Sequence, residues 1–236
     1  ILNTEDDVIN EASPIVADVV PDHYVSPDRV ATLLARLGKN AAAKYVRDRL
    51  PTTKTSRTGD LGEILSTEYI DAETEFLVPI KRLRWKDHRN MAMRGDDVIG
   101  IRPTQGGSRI RFLKTETKSR AVLNTATITD ARDGLSGYGE LPSPHALGFV
   151  GERLHESGAE DLADLIIDAQ YKDGISYRQV EHLLFTFSGN APDGFLAADL
   201  RAYRGRIPQR AVGLRVIPHQ EFIATVYELV EDEDDT

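Results

Sequence analysis

Apolar residues recur at helical spacing through Val30, Leu33, Leu34 and Leu37. This predicts a helix entered at Ser26-Pro27-Asp28, where the serine caps and the proline takes the first helical position. The pattern continues to about Leu50, with Gly38 as a point of division, and Pro51 stops it. Before it, the stretch to about Pro27 mixes apolar and acidic residues and reads as an arm wrapped on the body. The Thr/Ser/Lys run over 52–58 reads as an exposed loop. A second helix over Asp60–Ile70 sets Leu61, Ile64, Leu65 and Tyr69 on one face, with Glu63 to its side.

The pattern then shortens to strand candidates at Phe76–Trp85, Asp96–Arg102 and Arg109–Lys118, the last two joined by the turn residues 102–108. Helical spacing returns at Thr125–Leu135, Ala146–His155 and Ala159–Ala169. Leu183–Phe187 and Val212–Ile217 read as further strands, and Glu221–Val230 as a closing helix or strand. This order predicts an α/β fold with a mixed sheet flanked by helices. Residues 1–57 form an N-terminal arm and helix on a main domain spanning 58–236.

Composition changes this picture in two places. Cysteine is absent, which removes thiolate chemistry and disulfides and fits the cytoplasm, the localisation expected here. No apolar run is long enough to span a membrane, so no membrane partner is expected. The net charge of −9 argues against a polyanionic partner until its distribution is considered. Residues 1–28 and 228–236 contain seven and six acidic residues and no Lys or Arg. The stretch between them holds every Lys and Arg and is net positive, so it can meet phosphates locally.

The candidate chemistry lies on the paired strands. Strand side chains alternate faces, so Ile110, Phe112, Lys114, Glu116 and Lys118 share one face that turns charged at its end. Gly95-Asp96-Asp97-Val98-Ile99-Gly100-Ile101 opens the preceding strand, with Asp97, Ile99 and Ile101 on one face. Antiparallel pairing through a short turn brings the start of one strand beside the end of the other. Asp97 therefore lands beside Glu116 and Lys118. Two carboxylates and an ammonium at one point suit metal-assisted phosphodiester cleavage.

Asp97 followed by Glu116-Thr117-Lys118 resembles the PD-(D/E)xK nuclease superfamily, with its restriction-endonuclease-like fold. Gly-Asp-Asp stands where Pro-Asp is usual and offers both Asp96 and Asp97 as ligands; the Gly-x-Asp form before small apolar residues favours Asp97. Glu63, in Gly62-Glu63, matches the helical glutamate of many members. The longer pattern over residues 59–120 is similar to the HamA family, nuclease subunits of Hachiman anti-phage defence. That resemblance implies a DNA-degrading effector paired with a regulating helicase, HamB; no base-reading element is evident in the sequence, so little sequence preference is expected. It implies Mg²⁺ or Mn²⁺ as cofactor, held by Asp97, Glu116 and the Thr117 carbonyl, with Glu63 supporting a second ion or water and Lys118 placing the attacking water.

Plainer readings compete. Glu-x-Lys on a strand is commonly a solvated pair, Gly-Asp-Asp a turn, and Glu63 a first-turn acid. Lys81, Arg82, Arg84, Lys86, Arg89 and Arg94 form a basic stretch that, with Lys114 and Arg120, reads as a set of phosphate contacts or as a solvated strand edge. The six histidines lack metal-ligand spacing, and the glycine-rich 134–139 reads as a loop. Alternative functions on the same fold are a non-cutting scaffold subunit and a site-specific restriction nuclease or junction resolvase. The acidic ends suggest competition with DNA for the basic middle, or docking on a helicase.

Overall fold

The protein is described by a computed structural model covering residues 2–3, 8–104, 106–107 and 109–232. A two-residue strand β1 (Leu2–Asn3) precedes helices α1 (Val8–Tyr24), α2 (Pro27–Leu37), α3 (Lys39–Arg47) and α4 (Lys54–Glu73). The hairpin β2 (Val98–Pro103) and β3 (Ile110–Arg120) follows, then α5 (Thr125–Ser136), α6 (Pro144–Glu156) and α7 (Glu160–Ile167). The chain closes with β4 (Val180–Ser188), α8 (Asp193–Ala202), β5 (Gln209–Arg215) and α9 (His219–Asp232). The sheet order is β1-β5-β4-β3-β2, with β2 antiparallel to β3 and the other neighbours parallel. This is the mixed α/β sheet flanked by helices that the periodicity predicts.

Local chemistry sets most boundaries. Ser26 accepts from the Arg29 amide with Pro27 at the first position, and Gly38, at φ 84°, separates α2 from α3. Thr53 caps α4 by accepting from Ser56, so the helix starts at Lys54 inside the expected loop and runs through the anticipated 57/58 boundary. The closing segment is a helix, not a strand. Two helices go unanticipated. The span of α1 carries Pro14 and Pro21, which argue against a helix, yet its apolar residues Ala17 and Val20 are buried. The short α8 carries Gly194 in its first turn and buries Leu196.

The strand expected at Phe76–Trp85 does not form. Leu77 makes one bridge to Ile101, Pro79 has no amide to continue the ladder, and Arg82–Trp85 winds into a 3₁₀ turn. This turn aims its cations inward, with consequences for the site.

The sheet is covered on both faces. On one, α4, α1 and α9 pack over Leu113, Leu183, Phe185 and Phe187. On the other, α6 and α7 cover Ile99, Ile101, Ile110 and Phe112, while α5 and α8 cover Leu184. Gly62 lets α4 approach β3, since a Cβ there would lie 2.9 Å from that of Ser119. His219 is buried beside the Phe187 ring, centroids 4.3 Å apart, and burial holds its pKa at about 4.

In the unfolded chain His219 titrates near ~6.5. Its neutral burial thus contributes stability that is full above that pH and is lost as pH falls towards 4. Between pH 7 and 4.5 the wild type should lose roughly 2 kcal/mol more than His219→Phe, read from urea unfolding at both pH values. Equal losses would show that the histidine does not titrate on unfolding.

Candidate metal and nucleic-acid site

The site is built where β2 begins and β3 ends. Register pairs Val98 with Thr115, so the next step brings Asp97 opposite Glu116 on a common face. The Thr117 amide donates to Asp97 Oδ2 at 2.9 Å and fixes that carboxylate against β3. Lys118 Nζ lies 2.6 Å from Glu116 Oε1, with side-chain exposures of 20% and 14%. The three side chains expected to meet therefore meet. Burial, and then the adjacent Asp97 carboxylate, push Glu116 up to about 7 against the pull of Lys118.

Asp96 and Asp97 have different surroundings. Asp96 is buried, accepts from the Ser143 amide at 2.7 Å and pairs with Lys114 at 3.4 Å. Asp97 is about a quarter exposed and keeps an open side. Two adjacent carboxylates, the nearby Thr117 carbonyl and water suit Mg²⁺, which is commonly held by one or two carboxylates and keeps several waters. Their mutual repulsion, which adds to the larger effect of burial in raising the Glu116 pKa, is what a cation would relieve. Among the described residues, no group of three or more His, Asp or Glu side chains is arranged to hold a metal. Any ion here thus rests on the two carboxylates and main chain.

Glu63 reaches the site indirectly. Both its oxygens accept from Arg82, at 2.7 and 2.8 Å, and Arg82 also lies 3.4 Å from Asp97 Oδ1. Burial raises the Glu63 pKa in spite of this partner.

Most of the basic stretch points inward, in contrast to the expected phosphate contacts. Lys81 pairs with Asp22 and Glu68, Arg84 with Asp22, and Lys86 with both oxygens of Asp60. Lys114 is 1% exposed and donates to the Gly137 and Leu141 carbonyls, which leaves it no face for DNA. These cations neutralise buried acids, a role that charge counting along the chain does not separate from surface basicity. Arg94 and Arg120 are exposed and Arg89 is half-buried. Asp22 gives the acidic N-terminal segment a contact with the basic stretch; residues 4–7 and 233–236, on which much of the acidic-end reading rests, lie outside the described residues.

A cavity of about 440 Å³ borders the cluster. Asp97, Glu63 and Arg94 line it, with Trp85, Met91 and Phe149 among its apolar walls. Glu116 and Lys118 do not line it, so it flanks the Asp97–Glu116–Lys118 cluster and does not contain it.

Sequence reasoning misses Gly134. This residue belongs to α5, and a Cβ on it would lie 2.6 Å from the Glu116 carboxyl carbon. The expected helix over Thr125–Leu135 includes Gly134, but reading 134–139 as a loop gave this glycine no packing role against Glu116. The buried Lys114–Asp96 pair is also missed, because alternation puts Lys114 on the charged half of its strand face and says nothing of the segment 137–143 that covers it.

A mixed α/β sheet carrying a carboxylate pair and a lysine at one hairpin end defines the structural class. The HamA family profile matches residues 2–230, and the chain belongs to that family. The chain is similar to the Hachiman protein HamA of Bacillus cereus, 28% identical over 138 residues, which is 58% of this chain and 48% of the relative. The matched part spans about half the length of that relative.

Removing Lys114 strands Asp96 in the core. Lys114→Ala should cost ~3–5 kcal/mol in urea unfolding, whereas Arg94→Ala should stay within ~0.5 kcal/mol. Equal effects would mean that the buried pair contributes nothing.

Proposed function

We propose that this protein hydrolyses DNA phosphodiester bonds with Mg²⁺ or Mn²⁺, with little sequence preference. We further propose that it acts as the effector of a Hachiman anti-phage complex regulated by the helicase HamB. The observation that carries the reading is the meeting of Asp97, Glu116 and Lys118 at the open end of the β2–β3 hairpin. Asp97, Glu116 and the Thr117 carbonyl would hold the cation, which when bound supplies Lewis-acid stabilisation of the phosphate. Lys118 orients the attacking water and offsets charge gathering on the phosphate. Glu116 keeps Lys118 in place through their 2.6 Å contact. Arg120 and Arg94 would meet the DNA backbone from either side, and such contacts position without reading sequence. Family membership and the name of the Bacillus cereus relative support the defence role, and the helicase is what the resemblance over residues 59–120 implies.

One observation favours a non-cutting binding subunit: among the described residues no three-ligand cluster exists. Calorimetric titration with Mg²⁺ separates the two, since a scaffold that binds DNA without binding metal would lack cleavage in any buffer.

Plasmid and linear DNA incubated with Mg²⁺ or Mn²⁺ should be degraded by the wild type. Glu116→Ala and Lys118→Ala should each lower the rate at least ~100-fold. Equal rates in all three proteins would remove the site. Gly134→Ala supplies a test without deleting chemistry. Alanine favours a helix interior by ~1 kcal/mol, and the group it meets is the flexible end of Glu116, so Tm should hold while cleavage falls ~10-fold or more. Full activity would show that the position of Glu116 is immaterial.

A further inference from the structure

We propose that the Arg82 guanidinium takes the place of a second divalent cation, so that this site uses a single metal ion. The inference rests on the reading that a cation binds at Asp97 and Glu116.

Two-cation phosphodiester sites need a further carboxylate to hold the second ion. Glu63 is a helical carboxylate close enough to Asp97 for the two to repel, and both of its oxygens are engaged by Arg82. The same Nη2 that donates to Glu63 Oε2 at 2.8 Å lies 3.4 Å from Asp97 Oδ1. The space between the two carboxylates, where a bridging ion would sit, is thus filled by a guanidinium nitrogen. Nη1 donates to the Asp96 carbonyl at 2.8 Å. Four of the five guanidinium N–H groups are therefore used, and this explains why Arg82 is unsuited to the phosphate contact expected of it.

Burial makes this arrangement durable. The Arg82 and Glu63 side chains are each 13% exposed. Guanidinium keeps its charge at any working pH and matches a carboxylate edge with two parallel hydrogen bonds. It screens Glu63 from Asp97 as a cation would, but with fixed geometry and no dependence on metal supply. Lys86 at Asp60, one turn earlier on α4, neutralises a buried acid of the same helix in the same way.

The test is the number of Mn²⁺ ions bound by the full chain, counted by equilibrium dialysis and by the loss of free-ion electron paramagnetic resonance signal. Wild type should bind one ion. Arg82→Gln, whose melting curve verifies the fold, should bind a second, and Arg82→Gln/Glu63→Gln should return to one. If the arginine variants fail to fold, the wild-type count decides alone: one ion supports the inference and two overturn it. Two ions on the wild type, or one ion on both wild type and Arg82→Gln, would each overturn the inference while leaving metal binding intact. No ion on any protein would overturn the metal-site reading itself, and this inference with it.

Discussion

Everything at the site depends on the register of β2 against β3. Pairing Val98 with Thr115 brings Asp97 opposite Glu116, and the Thr117 amide holds the Asp97 carboxylate in that place. A slip of one residue would turn Asp97 and Glu116 to opposite faces of the sheet. The register is set by the apolar rows next to the charged end: Ile99 and Ile101 with Ile110 and Phe112, all buried against α6 and α7. The hydrophobic pattern of an ordinary hairpin thus determines where two carboxylates repel each other.

Around that point, buried charge is matched pair by pair. Arg82 serves Glu63 and Asp97, Lys86 serves Asp60, and Lys114 serves Asp96. Breaking such a pair is costly because the partner left behind stays buried. The cations therefore act as fasteners: Lys114 ties the segment 137–143 to the sheet, and Arg82 ties the start of β2 to α4. Glu116 keeps the Asp97 charge beside it despite Lys118, and burial first and that charge second raise its pKa.

Much of this was legible in the sequence. Alternation along 109–118, the turn at 102–108 and the helical spacing of Leu61 and Ile64 were enough to forecast the hairpin, α4 and the meeting of Asp97, Glu116 and Lys118. Pro79 was the sign that the expected strand at 76–85 could not form, but its basic residues made an exposed edge the simpler reading. What stayed hidden depends on tertiary packing. No linear pattern shows that Lys114 will be roofed by backbone carbonyls, that Arg82 will turn to Glu63, or that Gly134 will give its missing side chain's space to Glu116.

The chain belongs to the HamA family, and the proposed activity turns on a cation held at the end of the β2–β3 hairpin. Crystals of the protein soaked in Mn²⁺ and measured at the manganese absorption edge test it most directly. The expected result is an anomalous peak bounded by Asp97, Glu116 and the Thr117 carbonyl. A map with no peak there, or with its peak elsewhere on the molecule, would contradict the account.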